Sequence, residues 1–487
     1  MFHWQSGRRI LALPSPQAAL TGLLLVPWLA MLSSAEDWPT YGHDHARSST
    51  SSENLPADLA EAWAYQAPSP PVPAWDEPAI WDGWAKIHGL KNRQVFDKVM
   101  HVAAVGDAVF FGSSVDDKVY CLDAATGRTR WVFYTEGPVR LAPSVVDGRV
   151  YVGSDDGNVY CLQADRGALI WQHRPGPSDR RVPGNGRVIS LWAIRTGVVV
   201  VGDVAYCGAG VIPSETVYLC AISAGTGAEL WKTPMRDLPA QGYLLASATR
   251  LYVTTGRDRP VVFDRATGQR LFQATGSTGG SYALLTGDAL LYGPGKTGEV
   301  SLSGPAPEDH LASFAGNHMI ASGPTFYLHT DTSLSALDRA EYVRLYGARR
   351  AAANERDELQ ARRKQAAAEE AEQLAQPLAQ LTDQIDALTE AMRRCVAWEV
   401  PCDGRWSLIQ SGTALVAGGT GKIVAFNTAD GTQLWQLEVP GNVYGLAVAA
   451  GRLYASTDRG AIHCFAGARG QPARRASKTR QSEGVLR

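Results

Sequence analysis

Residues 119–131 read Val119-Tyr-Cys-Leu-Asp123-Ala-Ala-Thr-Gly127-Arg-Thr-Arg-Trp131: a β-prone run, a polar residue, a glycine four positions on and an aromatic eight positions on. The phrase recurs with Gln163, Gly167 and Trp171, with Ser223, Gly227 and Trp231, with Asp264, Gly268 and Phe272, and with Asn427, Gly431 and Trp435. The polar-x-x-x-Gly step is turn chemistry, because a short polar side chain bonds the backbone just ahead of it and glycine takes positive φ. The aromatic then opens the next strand. Upstream lies alternating sequence around a tight turn, as in Ser144-Val-Val-Asp-Gly-Arg-Val-Tyr-Val-Gly-Ser154 and Ala447-Val-Ala-Ala-Gly-Arg-Leu-Tyr-Ala-Ser456. Period-2 alternation across such turns predicts hairpins. The distances of 40 residues from Trp131 to Trp171 and 41 from Trp231 to Phe272 fit one four-stranded blade per repeat.

The expected fold is therefore all-β, an eight-bladed β-propeller with a helical hairpin inserted. Units ending near 131, 171, 231, 272, 314, 346 and 435, with a last one over Val443 to Phe465, make eight; the count falls to seven if the two degenerate copies between 281 and 346 are one. The last unit lacks its aromatic strand, and Leu59-Ala-Glu-Ala-Trp63-Ala-Tyr65 supplies the missing one, closing the ring and covering an open edge.

Composition agrees with a folded, turn-rich chain: 487 residues, 45% hydrophobic, 19% charged, with 49 Gly and 27 Pro. The 46 basic side chains against 48 acidic ones exclude an electrostatic nucleic-acid binder. Arg8 and Arg9, the apolar stretch Ala18 to Leu32 and the small residues Ser33-Ser34-Ala35 read as an export signal, which places the protein in the periplasm or outside the cell. The expected division is a signal peptide (1–35), a leader with the ring-closing strand (36–66) and a Pro/Trp-rich loop (67–98) carrying Trp75, Trp81 and Trp84. Blades (99–339), a helical insertion (340–395), further blades (396–467) and a basic disordered tail (468–487) follow. In the insertion Leu374, Leu378, Leu381, Ile385, Leu388 and Met392 follow a helical seam. Asn354 is a candidate cap and Pro377 a candidate first helical residue of an αα-hairpin. The hairpin either packs on its own propeller or forms a coiled coil with a partner.

Of the seven cysteines, Cys121, Cys161, Cys220 and Cys464 fall in strand-like runs at repeat positions and read as buried, unpaired residues, with Cys207 left over. Cys395 and Cys402 flank a short loop and form a candidate disulfide.

Aligning the hairpins on their turns places His101, Tyr243, Tyr282 and His318 at one equivalent position where innermost strands begin. Arg140, Arg195 and Arg405 lie two residues before that position in their own repeats, and Trp192 and Trp406 are close by in sequence. These nine residues are the candidate lining of an anion-accepting, aromatic-walled channel mouth; the competing reading is that they staple neighbouring blades and loops. His43, Asp44 and His45 read as a turn in the leader, and Asp155 and Asp156 as solvated turn formers. No metal site is expected from these patterns.

From Asp37 to Gly467, the insertion apart, the chain resembles the pyrroloquinoline-quinone-like (PQQ-like) propeller repeat family. The carriers are Leu122-Asp123-Ala-Ala-Thr-Gly127 with Trp131, Gly153-Ser-Asp-Asp-Gly157-Asn-Val-Tyr160, Phe426 to Trp435, and the leader Asp37-Trp38-Pro39. The resemblance implies either a quinone-dependent alcohol or sugar dehydrogenase, with PQQ and calcium as cofactors, or a non-enzymatic scaffold of outer-membrane protein assembly. Such alcohol dehydrogenases typically carry two adjacent cysteines at the cofactor, and this sequence has no adjacent pair. The reading carried forward is an exported, non-catalytic, monomeric propeller without a cofactor. It binds a protein or a small ligand, with the helical insertion as a candidate partner-binding element; the quinone-dependent oxidoreductase is the alternative.

Overall fold

The computed structural model describes residues 36–74, 95–184, 186–256, 258–279, 282–294 and 298–468. The expected signal peptide, the part of the Pro/Trp-rich loop that carries Trp75, Trp81 and Trp84, and the basic tail from 469 onward lie outside the described residues.

The architecture is mostly β, and its main units are antiparallel four-stranded meanders. Sheet I comprises Val102–Val105, Ala108–Ser113, Lys118–Asp123 and Thr129–Tyr134; sheet II comprises Ser144–Val146, Arg149–Gly153, Val159–Gln163 and Leu169–His173. Sheet III runs Val199–Val201, Val204–Ala209, Val217–Ser223 and Glu229–Met235, and sheet IV runs Leu245–Ala246, Arg250–Val253, Val261–Asp264 and Arg270–Gln273. Sheet V holds Tyr282–Thr286, Ala289–Gly293, Glu299–Ser303 and His310–Ala315; sheet VI holds His318–Ser322, Thr325–His329, Ser333–Asp338 and Val396–Pro401. Sheet VII is larger: Thr50–Ser51, Ser407–Ser411, Ala414–Gly418, Thr420–Asn427, the long strand Gln433–Ala449, Arg452–Thr457, Ala461–Gly467 and finally Leu59–Gln66. That last strand, from the start of the chain, pairs antiparallel with Ala461–Gly467 near its end. First strands of consecutive sheets pack on one another, and the series returns from Gln433–Ala449 to Val102–Val105.

The recurring phrase explains how sheets are held side by side. In four joints a tryptophan in the outer strand of one sheet donates its indole N–H to a turn carbonyl of the next. Trp63 reaches Ala124 O at 2.9 Å, Trp131 reaches Ala164 O at 2.9 Å, Trp171 reaches Ala224 O at 3.0 Å and Trp231 reaches Arg265 O at 3.2 Å. The turn glycine makes room for the ring: Gly167 has φ +68°, and a Cβ there would sit 2.5 Å from Trp131 Cε3. One position thus demands glycine twice, for its backbone angle and for its missing side chain.

Sheet VI departs from the expected repeat. Its third strand ends at Asp338 and its fourth begins at Val396, so the unit closes with Trp398, whose indole reaches Thr428 O at 3.2 Å, and not near Tyr346. The helices α1 (Arg339–Gln365), α2 (Ala368–Gln373) and α3 (Ala375–Arg393) fill the gap, and its two ends are joined by Asp338 N donating to Cys395 O at 2.9 Å. Asp338 caps α1 by accepting from Glu341 N at 2.9 Å. Asn354 lies well inside α1 and caps nothing, because the helix continues unbroken past it; Pro377 sits in the first turn of α3, where a missing N–H costs no helical bond. Leu378, Leu381 and Ile385 are buried, and the last two pack with Ala352 of α1. Tyr342 stacks on Phe314 of sheet V at 4.7 Å, so the root of the hairpin packs on the sheets.

The expected Cys395–Cys402 disulfide is corrected. What separates the two residues is the strand Val396–Pro401, and six extended residues hold its ends on the order of 20 Å apart. A bridge needs Cα atoms within about 7 Å. Both thiols are free; Cys402 Sγ instead lies 3.5 Å from His329 Nε2.

Candidate functional site

The leader positions everything near the first strands. Its backbone is claimed by one sheet after another: Trp38 pairs with Ala104 of sheet I, Pro39 O accepts from Val145 of sheet II, and His45 O accepts from Ala246 of sheet IV. Ala46 O then accepts from Leu285 of sheet V and Ser49 O from Gln410 of sheet VII. Arg47 anchors the crossing from within. It is buried, donates to Leu244 O at 3.0 Å, Thr40 Oγ1 at 2.9 Å and Tyr41 O at 2.8 Å, and lies over the Tyr243 ring. Tyr41 stacks flat on Tyr243 at 3.6 Å and meets His101 edge-on at 5.0 Å. His43, Asp44 and His45 form a turn in which Asp44 accepts from Ser48 N at 3.1 Å and Ser48 Oγ at 2.7 Å.

Beside the leader opens a cleft, continuous with solvent, whose free space is about 40 Å³, room for only a few water molecules. His101, Tyr282, His318 and Trp406 of the expected lining meet there, joined by Phe96 and Tyr444. Trp406 packs against Tyr444 at 4.9 Å; Arg405 lies 4.4 Å above the Trp406 ring and Lys98 5.7 Å from the Tyr444 ring, giving aromatic walls two cations at their edge. The polar atoms around it are partly committed: Tyr282 donates its hydroxyl to Met319 O, Ser407 Oγ donates to Val443 O at 2.7 Å, and Trp406 donates to Thr420 Oγ1 at 3.0 Å. Burial pushes the His101 imidazole down to about 4, so it is neutral at physiological pH.

The remaining expected residues go elsewhere. Arg140 and Arg195 come together, but on the far side of Phe96, where both hold one carboxylate: Arg140 Nε donates to Asp155 Oδ2 at 2.7 Å, and Arg195 Nε lies 2.6 Å from Asp155 Oδ1. Arg140 also donates to Val72 O and lies 3.9 Å from Asp97 Oδ2, which accepts from Ala74 N at 2.6 Å. The chain on either side of the loop between sheets is thereby tied to the sheets. Phe96, Asp97, Arg140, Leu141, Arg195 and Gln241 line a gap with about 10 Å³ of free space, no more than one water needs. Burial raises the Asp97 carboxyl above its ordinary value and lowers Arg195, against the pull of Asp155. Asp155 and Asp156 are buried, which corrects the solvated-turn reading. Asp156 accepts from Glu136 N at 3.0 Å, Asn158 N at 2.8 Å and Tyr160 Oη at 2.7 Å.

Trp192 is buried among sheet II and III residues and donates to Thr216 O at 3.1 Å. Tyr243 accepts from Ala142 N at 2.9 Å beneath Tyr41. Arg405 stays far more exposed than the other two arginines and lies 3.9 Å from Asp331. Sequence reasoning missed Tyr41, Phe96, Asp97, Gln241 and Tyr444. Gln241 stands two residues before Tyr243, at the position of Arg140 and Arg195; the others come from loops, the leader or the middle of the long strand, outside the positions used for alignment. Among the described residues no group of three or more His, Cys, Asp or Glu side chains could hold a metal ion, and no helix is long and apolar enough to cross a membrane.

Residues 81–212, 192–302 and 384–482 match the family described as outer membrane protein assembly factor BamB. No curated protein matches the chain. Among solved structures it is similar to the quinohemoprotein alcohol dehydrogenase of Comamonas testosteroni, with 16% identity and a TM-score of 0.58 over 92% of this chain and 83% of that one. A europium-containing methanol dehydrogenase gives 10% identity and 0.55 over 88% and 98%. BamB of Moraxella catarrhalis gives 14% identity and 0.40 over 84% and 99%. At these identities the dehydrogenase likenesses are likenesses of fold.

Proposed function

The chain belongs to the PQQ-like propeller repeat family, and from that premise we propose that it is an exported, non-catalytic eight-bladed propeller that serves as a scaffold for a protein partner. The blade count takes sheet VII as two blades sharing the strand Gln433–Ala449, with Leu59–Gln66 as the outer strand of the last blade. On this arrangement the leader crosses one mouth of the central channel, and the aromatic cleft is the part of the channel left open.

The observation that carries the reading is the donor set of that cleft. Its described lining is aromatic, aliphatic, imidazole and hydroxyl, without a carboxylate. Calcium takes six to eight oxygens, carboxylates prominent among them, so the residues present do not fit a calcium-held quinone. Of the buried carboxylates beyond Phe96, Asp97 and Asp155 are bound to Arg140 and Arg195, and Asp156 accepts from backbone N–H groups and Tyr160. An oxidoreductase reading rests on likeness of fold alone.

The matched family's description names outer-membrane protein assembly, and carried to this chain it makes the partner a component of that process. In the native host, loss of the chain is expected to lower the amount of folded outer-membrane β-barrel proteins several-fold and to leave dye-coupled alcohol oxidation by the same envelopes unchanged. Unchanged barrel proteins together with lost oxidation would overturn the proposal.

A further inference from the structure

Two cysteines meet in sheet III. Cys207 lies in Val204–Ala209 and Cys220 in Val217–Ser223, and in the antiparallel register between these strands they are directly opposite each other. Directly opposite residues point to the same face, and their Cα atoms are about 4.5–5.5 Å apart, within the span a disulfide bridges. Both side chains lie in one hydrophobic cluster with Cys161, Trp171 and Ile222. Neither is exposed to solvent at all. The sequence concealed the pair because Cys220 is three residues before its turn residue, Ser223, whereas Cys121 and Cys161 are two residues before theirs, Asp123 and Gln163. One step along a strand turns a side chain to the other face, and there Cys220 meets Cys207.

We propose that Cys207 and Cys220 are an oxidation site, joined by a cross-strand disulfide when the chain folds in an oxidising compartment. The oxidant is a small-molecule or protein disulfide. One thiolate attacks it to give a mixed disulfide and release one thiolate, and the second cysteine's thiolate attacks the chain-borne sulfur, releasing the other. Two thiols of the chain are oxidised, one external disulfide is reduced to two thiols, and the two protons pass to them. Contact with Cys207, together with burial, holds the Cys220 thiol well above its ordinary pKa in the folded sheet. The exchange therefore belongs to folding, before the strands are covered, and the finished bridge is shielded from reductants. It would fasten the two middle strands of sheet III on either side of the loop that carries Thr216 at φ +67°.

The inference rests on the export reading for its oxidant, and the test separates the two. The full-length mature chain, unfolded in reductant and refolded in excess glutathione disulfide, is quenched with N-ethylmaleimide under denaturing conditions and measured by intact mass and peptide mapping. Five of its seven cysteines are expected to be alkylated, with a single linked peptide pair containing Cys207 and Cys220. Cys207→Ala and Cys220→Ala should each show six alkylated thiols. Seven alkylated cysteines in the refolded wild type, or a bridge that persists in either variant, would overturn the pairing. A bridge formed on refolding but absent from chain trapped with the same reagent in its native host would uphold the pairing and overturn the export reading.

Discussion

His101 and His329 show what burial does to a single side chain. His101 sits against Tyr41 and Tyr243, His329 beside Cys402, and burial pushes both imidazoles down to about 4. In the unfolded chain each titrates near 6.5. Below that pH the unfolded state takes up protons that the folded state refuses, so the stability is full above about 6.5 and is lost as pH falls towards about 4. Each histidine accounts for on the order of 3 kcal/mol across the window. The urea midpoint is expected to drop between pH 7 and pH 5, and to drop by roughly half as much in His329→Asn; an unchanged drop in the variant would contradict the assignment. The same scale shows what was hidden in the sequence. Arg140 and Arg195 stood out because an alignment on turns places them together. Their partner Asp155 sits in Ser154-Asp-Asp-Gly157, a phrase that reads as a solvated turn until the neighbouring sheet covers it. Local pattern reports backbone geometry; burial of a turn depends on what packs above it.

At the scale of the element, the indole-on-glycine contact joins successive sheets. Gly148 and Gly167 both have φ near +70°, but a Cβ at Gly148 meets nothing within 4 Å while one at Gly167 strikes Trp131. Gly148→Ala is expected to cost about 1 kcal/mol from backbone strain alone, and Gly167→Ala about 3 kcal/mol because the ring must also move. Equal losses in urea unfolding would show that the indole contact contributes nothing. These joints were legible, since polar residue, glycine and aromatic recur at fixed spacing. The end of sheet VI was not: Asp338 and Tyr346 imitate that spacing across the start of a helix, and the true outer strand returns only after α3, with Trp398. A helix cap and a turn residue use the same acidic side chain, so Asp338 satisfied both readings.

For the whole molecule, the decisive features are long-range. The strand Leu59–Gln66 pairs with Ala461–Gly467, Trp63 docks on the turn of sheet I, and the leader ties sheets I, II, IV, V and VII across their first strands. Pairing of the two chain ends could be anticipated, because a repeat missing its aromatic strand and an isolated aromatic strand complete one another. The path of the leader could not, because most of its ties to the sheets are backbone hydrogen bonds, which carry no sequence signal. We propose that the remaining cleft serves a scaffold and holds no redox cofactor. Titration of PQQ into the purified mature chain by calorimetry, with and without calcium, followed by dye-coupled alcohol oxidation, tests it most directly. The account predicts neither saturable heat nor dye reduction in either condition, whereas calcium-dependent binding with turnover would contradict it.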